Sequence, residues 1–139
     1  KISGSTANGN KVAIWVNGHC TVRDCTVLWN ENHGIRVGNS CRIEDNNCSQ
    51  NAYNNTNGAG IYISGSGNRV EANNVTYNRQ GIMVDNCSGG FNLIVRNSAS
   101  DNTMTSYQTS GSDYYGTVMD TNTMGTTGFS GDPWSNFEF

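Results

Sequence analysis

Four carboxylates, Asp24, Glu44, Asp45 and Glu71, are the residues whose types and spacing could do acid–base chemistry in this chain. Cleavage of a glycosidic bond needs two carboxyl groups about 5–9.5 Å apart across a groove, one to donate a proton and one to act as base or nucleophile. Asp24 and Asp45, like Glu44 and Glu71, are separated by roughly one repeat of the chain, so a backbone that coils once per repeat sets each pair side by side. Any coil with charged outer positions makes such pairs, and ion pairing along the column Arg23, Glu44, Glu71 is the simpler expectation. Asp85 has no acidic companion, because its column reads Asn17, Gly38, Ser64, Asp85. His19 and His33 fall at turns, where they are expected to face solvent, and no Ser/Asp or Cys/Asp pair accompanies them. Catalytic residues are therefore expected to be absent, with the four acids as weak candidates.

Recognition is the second kind of chemistry on offer. Trp15, Arg36 and Tyr62, followed by Met83, hold matching outward positions in successive repeats. Aromatic faces stack on sugar rings and a guanidinium hydrogen-bonds uronates or sulfates, so this column is a candidate glycan-binding strip. The alternative is an ordinary cross-strand stack that steadies a sheet. Five cysteines, Cys20, Cys25, Cys41, Cys48 and Cys87, form no CxxC pair and have two histidines for company. Neither a metal site nor a cofactor is expected, and the repeat register places several of these cysteines inside as buried thiols rather than in disulfides.

What must position these residues is a repeat. Four segments open with Ala13-Ile14-Trp15-Val16, Gly34-Ile35-Arg36-Val37, Gly60-Ile61-Tyr62-Ile63 and Gly81-Ile82-Met83-Val84, with starts 21, 26 and 21 residues apart. Each alternates apolar and outward residues, the period-two mark of a strand with one buried face. Further apolar columns follow at Val22, Ile43, Val70, Ile94 and at Val27, Cys48, Val75, Ala99. Between them recur Asn46, Asn73 and Asn97, after Cys25 in the first repeat, and each segment closes on Asn30, Asn51, Asn78 or Asn102. Asparagines at equivalent turns can exchange amide hydrogen bonds from coil to coil, so both sets are expected to form structural ladders. The longest excursion, 52–57, accounts for the 26-residue step and reads as a polar spacer.

With segments such as GIRVGNSCRIEDNNCSQN and GIYISGSGNRVEANNVTYN, residues 12–103 resemble the pectate-lyase-like superfamily of right-handed parallel β-helices, in particular bacterial parallel β-helix repeat proteins. The resemblance implies an all-β fold, a right-handed parallel β-helix (solenoid) of about four to five coils with an aromatic C-terminal tail. It leaves function open, since such solenoids serve as lyases, hydrolases, adhesins and structural proteins. The polygalacturonase-like signatures NTD, GHG and RIK are missing, Arg42-Ile43-Glu44 carrying an acid where that family has a lysine.

Composition narrows the partners. With 35% hydrophobic and 14% charged residues the chain is polar without being highly charged, and its regular period argues against disorder. A net charge of −3 with no basic cluster excludes nucleic acid as the expected partner, and no apolar run approaches the roughly 20 residues of a membrane span. Lys1 rather than Met opens the chain, as removal of a leader or an upstream region would leave it.

The organisation expected is a leading partial coil at 1–12, β-helix repeats over 13–103, an imperfect last coil and loop at 104–128, and an aromatic segment at 129–139. Phe129, Trp134, Phe137 and Phe139 of that segment must bury their rings, either as a cap on the solenoid's own end or as an assembly contact on a neighbouring copy. The expectation is an extracellular or cell-surface solenoid, structural or adhesive, that partners itself as a homo-oligomer or end-to-end polymer and contacts polysaccharide. A polysaccharide lyase or glycoside hydrolase, or a fragment of one, is the alternative.

Overall fold

The computed structural model describes residues 1–54, 57–85, 91–109, 113–120 and 132–139. The chain winds through three strands per coil. The first coil holds β1 (Ile2–Ser3), β2 (Thr6–Asn8) and β3 (Val12–Gly18). The second holds β4 (Thr21–Arg23), β5 (Thr26–Leu28) and β6 (His33–Asn39), and the third β7 (Arg42–Glu44), β8 (Asn47–Ser49) and β9 (Ala59–Ile63). β10 (Arg69–Glu71), β11 (Asn74–Thr76) and β12 (Gln80–Val84) make the fourth; β13 (Leu93–Val95), β14 (Ser98–Ser100) and β15 (Thr105–Gln108) make the fifth. β16 (Tyr114–Tyr115), β17 (Val118–Asp120) and β18 (Asn136–Glu138) complete a solenoid of about six turns.

Like strands of successive coils pair in parallel, giving three sheets: A, β1-β4-β7-β10-β13-β16; B, β2-β5-β8-β11-β14-β18-β17; and C, β3-β6-β9-β12-β15. Six turns exceed the four to five expected because residues 2–8 contribute a strand each to sheets A and B, and 113–120 with 136–138 extend the same two sheets at the other end. Strands of two or three residues show too little alternation to be recognised by period.

The register matches the expected columns. Ile14, Ile35, Ile61 and Ile82 stack in sheet C, Val22, Ile43, Val70 and Ile94 in sheet A, and Val27, Cys48, Val75 and Ala99 in sheet B. All are buried in one continuous core, each large aliphatic side chain contributing roughly 1.5–3 kcal/mol by leaving water. Cys25, Cys41 and Cys48 are buried thiols and Cys20 is half-buried, whereas Cys87 lies outside the described residues. Burial pushes the Cys48 thiol well above its ordinary value.

Corners repeat one device. A residue with positive φ turns the chain, and the next residue points inward: Asp45 before Asn46, Gln50 before Asn51, Ser40 before Cys41. Asn51 Oδ1 accepts the Asn30 backbone N–H at 3.2 Å and its side-chain amide at 2.7 Å, and Asn78 serves Asn51 in the same way. Asn102 continues that ladder below Asn78. Asn46, Asn73 and Asn97 form the second ladder, with the Cys25 N–H donating to Asn46 Oδ1. A third, unanticipated ladder runs Cys41, Asn68, Asn92, Asp113. These amides satisfy backbone groups that the turns leave unpaired inside the solenoid. They also explain the small residue opening each segment: a Cβ on Gly34 would stand 2.5 Å from Gly60 O and 2.9 Å from Asn51 Nδ2.

The last strand does not simply follow the coil. β18 lies between β14 and β17, with Ser98 paired to Phe137 and Met119 to the same residue from the other side. Asn136 Oδ1 accepts from the Asn97 N–H and amide, and Asn136 Nδ2 donates to Ile94 O and Gly116 O. Tyr107 fills the inner column above Ile82, its hydroxyl 2.9 Å from the carbonyls of Asn97 and Phe137.

Candidate functional site

Sheet C carries the longest strands, and the segment Ile-x-Val/Ile within them puts alternate residues outward. Trp15, Arg36, Tyr62 and Met83 therefore stand in one outer row, neighbours paired in register and about 4.8 Å apart. The Arg36 guanidinium carbon lies 4.6 Å from the Trp15 ring centre and 5.6 Å from that of Tyr62, a cation between two aromatic faces. Its Nε is buried without a hydrogen-bond partner. Trp15 is 61% exposed, so one face of the stack is open to solvent.

Tyr62 extends the strip towards the next coil. Its hydroxyl donates to Asp85 Oδ2 at 2.7 Å, and its ring stacks on His33 at 4.3 Å with an interplanar angle of 20°. His33 is buried, contrary to the expectation that it faces solvent. It pairs with Val12 at the start of β6, and Ala59 and the Tyr62 ring of the next coil contact it, so the imidazole lies under a neighbouring coil. His33 Nδ1 accepts the Ala59 N–H at 3.2 Å. Desolvation, reinforced by Arg36, lowers its pKa from 6.5 to about 4, so it is neutral near pH 7. With Nδ1 engaged as acceptor, the proton of the neutral ring sits on Nε2, which leaves no free lone pair for a general base. His19 is exposed, as expected. Asn32, His33, Asn57, Tyr62, Met83 and Asp85 line a groove of about 420 Å³ beside the strip.

The acids lie elsewhere. Glu44 and Glu71 are adjacent on the outside of sheet A, not beside the strip on sheet C. Arg42 Nε meets Glu44 at 2.6 Å; Arg69 and Arg96 meet Glu71 at 2.6 and 3.1 Å. The Arg69 hydrogen bond holds the Glu71 carboxyl below its usual range, the opposite of what a general acid requires. Asp24 pairs with Arg23 at 2.9 Å, and Asp24 and Asp45 are both exposed corner residues with positive φ. Stacking thus brings Glu44 beside Glu71 within ion pairs, and Asp24 lies in one with Arg23, all away from the aromatic row.

Of the aromatic tail, Trp134 is half-exposed with Arg69 6.0 Å from its ring, Phe137 is partly buried within β18, and Phe139 is exposed. Phe129 lies outside the described residues. The Tyr62–Asp85 bond escaped the column-by-column reading because it is diagonal, crossing to the next coil two residues on.

The model of the family described as right handed beta helix region matches residues 2–136. No curated protein and no solved structure matches the chain.

Proposed function

Because the chain belongs to the right-handed β-helix family, whose coils turn sequence repeats into rows of side chains, we propose that it is a glycan-binding structural module whose outer sheet C row grips an anionic polysaccharide. One observation carries this reading: the Arg36 guanidinium held between the Trp15 and Tyr62 rings. The Trp15 ring offers its open face to sugar C–H groups, Arg36 offers fixed donors to a carboxylate or sulfate, and Tyr62 holds the guanidinium from the other side. Glycans of that class cover cell surfaces and extracellular matrices, which is where such a module acts. The ion-paired acids and the occupied His33 acceptor favour binding over cleavage.

Calorimetric titration with uronate and sulfated oligosaccharides tests the proposal. Trp15→Ala, Arg36→Ala and Tyr62→Ala should each weaken binding at least tenfold, with Glu44→Gln without effect. Equal affinity in all four variants, or no binding by the parent chain, sinks it. Release of unsaturated products from uronate polymers with added calcium would favour the lyase reading instead.

Self-association into a fibre or stalk is a second reading, favoured by the unpaired outer edges of β3 and β15 among the described residues. Sedimentation velocity over a wide concentration range tests it, a constant monomer speaking against it.

A further inference from the structure

The corner that joins sheet B to sheet C repeats a left-handed residue before each ladder asparagine: Gly9, Trp29, Gln50, Tyr77 and Asp101. Glycine, asparagine and aspartate adopt this conformation at least cost, and a bulky ring there is unusual. Trp29 and Tyr77 nevertheless take it, with φ of 53° and 56°. Neither ring repays that by burial, since Trp29 is 54% and Tyr77 60% exposed. Among the described residues, the left-handed positions of the other two corners are His19, Ser40 and Gly67 in one and Gly4, Asp24, Asp45, Ala72 and Arg96 in the other, with no tryptophan or tyrosine.

Trp29 and Tyr77 stand two coils apart with Gln50 between them, a spacing of roughly 9–10 Å along the solenoid. The loop after Ala52 adds Tyr53, also exposed, to the same groove of about 520 Å³. That volume is in the range of small-molecule sites. The remaining lining is mostly neutral: Gln50 offers an amide and Thr103 a hydroxyl, Asn51 is buried in its ladder, and Arg79 is the charge among the described lining residues. Tyr53 lines this groove and Asn57 the groove beside sheet C, so the segment expected to be a spacer contributes a residue to each.

We infer that this corner is a second carbohydrate site, taking a neutral, extended oligosaccharide along the solenoid axis, with Trp29 and Tyr77 as platforms for two sugar rings separated by about one more. Amides and hydroxyls suit the equatorial hydroxyls of such a chain, and the paired platforms favour a ligand of three or more units over a monosaccharide. The site is distinct in position and ligand charge from the row on sheet C and does not depend on it.

The experiment titrates the whole chain with neutral β-linked gluco- and xylo-oligosaccharides of one to six units, and separately with uronate oligomers. Glycine is the natural substitution, being native to this corner at Gly9, so Trp29→Gly and Tyr77→Gly should keep the fold; circular dichroism and melting temperature verify this. The expected result is a tenfold or greater gain in affinity from monosaccharide to trisaccharide in the parent chain, at least tenfold loss in either variant, and no loss in Trp15→Ala. No binding of any neutral oligosaccharide, unchanged affinity in folded variants, or a loss confined to Trp15→Ala would overturn the inference. If uronate binding fails while the neutral pattern holds, the sheet C proposal falls and this one stands.

Discussion

Asn73 Oδ1 accepts both the backbone N–H and the side-chain amide of Asn46, each at 3.0 Å. Asn73 in turn donates to Ile43 O, Glu71 O and Asn97 Oδ1, so one buried amide serves three coils. Asn73→Ala should cost about 3 kcal/mol or more, because several buried polar groups lose their partner at once. Asn73→Asp keeps the acceptor and loses the donors, and should be intermediate. Urea midpoints measure both, and a change under 1 kcal/mol in Asn73→Ala would mean that the ladder is not what holds this corner.

Gly60→Ala tests the close packing between ladder and strand. A Cβ there would stand 2.5 Å from Val75 Cγ1 and 2.8 Å from Asn78 Nδ2, and the expected loss is roughly 1–3 kcal/mol. Gly4→Asn is the control, since nothing lies within 4 Å of a Cβ at Gly4 and asparagine tolerates its φ of 61°. Thermal unfolding of the two variants should separate them clearly.

Acid should unfold the chain through two groups in different windows. His33 titrates at about 4 when folded against 6.5 ordinarily, so the unfolded chain takes up the extra proton and stability falls as pH drops from 6.5 towards 4. Glu71 is held below 4.5 by Arg69, so its contribution is present above 4.5 and disappears as pH falls through its lower folded value. His33→Gln should flatten stability between pH 6.5 and 4, whereas Glu71→Gln should flatten it only below 4.5. An NMR titration placing the His33 midpoint near 6.5 would contradict its burial.

Removal of 132–139 should destabilise the solenoid itself. Sheet B would lose the strand between β14 and β17, and Asn97 its acceptor on Asn136. A melting temperature lowered by several degrees, with the oligomeric state of the parent chain kept, is the expected outcome. An unchanged melting temperature together with lost oligomers would assign the tail to assembly alone.

The buried columns were legible because Ile35, Ile61 and their equivalents keep period two, and Asn46, Asn73 and Asn97 keep coil spacing, in a composition where little else is apolar. The third ladder was not, although Cys41, Asn68 and Asn92 each stand two residues before Ile43, Val70 and Ile94, because the residue type changes along it from Cys to Asn to Asp. Ile2 and Ala7 each supply the one inward residue of a strand too short to show a period. The outer row Trp15, Arg36, Tyr62 was legible by register, but the burial of His33 was not, since it depends on the Tyr62 ring of the next coil closing diagonally over it. Trp29 and Tyr77 passed unnoticed at turn positions where ring size has no bearing on the repeat. The place of β18 in sheet B follows from no local pattern at all.

That place has a temporal consequence. A coil-by-coil solenoid can in principle wind up as it is synthesised, each new rung settling on the last. Here β17 rests on β18, whose residues are translated later, so the final rung must wait, exposed, until Asn136–Glu138 have emerged and slid into the gap between β14 and β17. Closing that gap is the step at which this chain is most open to chaperones, to proteases, or to a borrowed strand from another molecule.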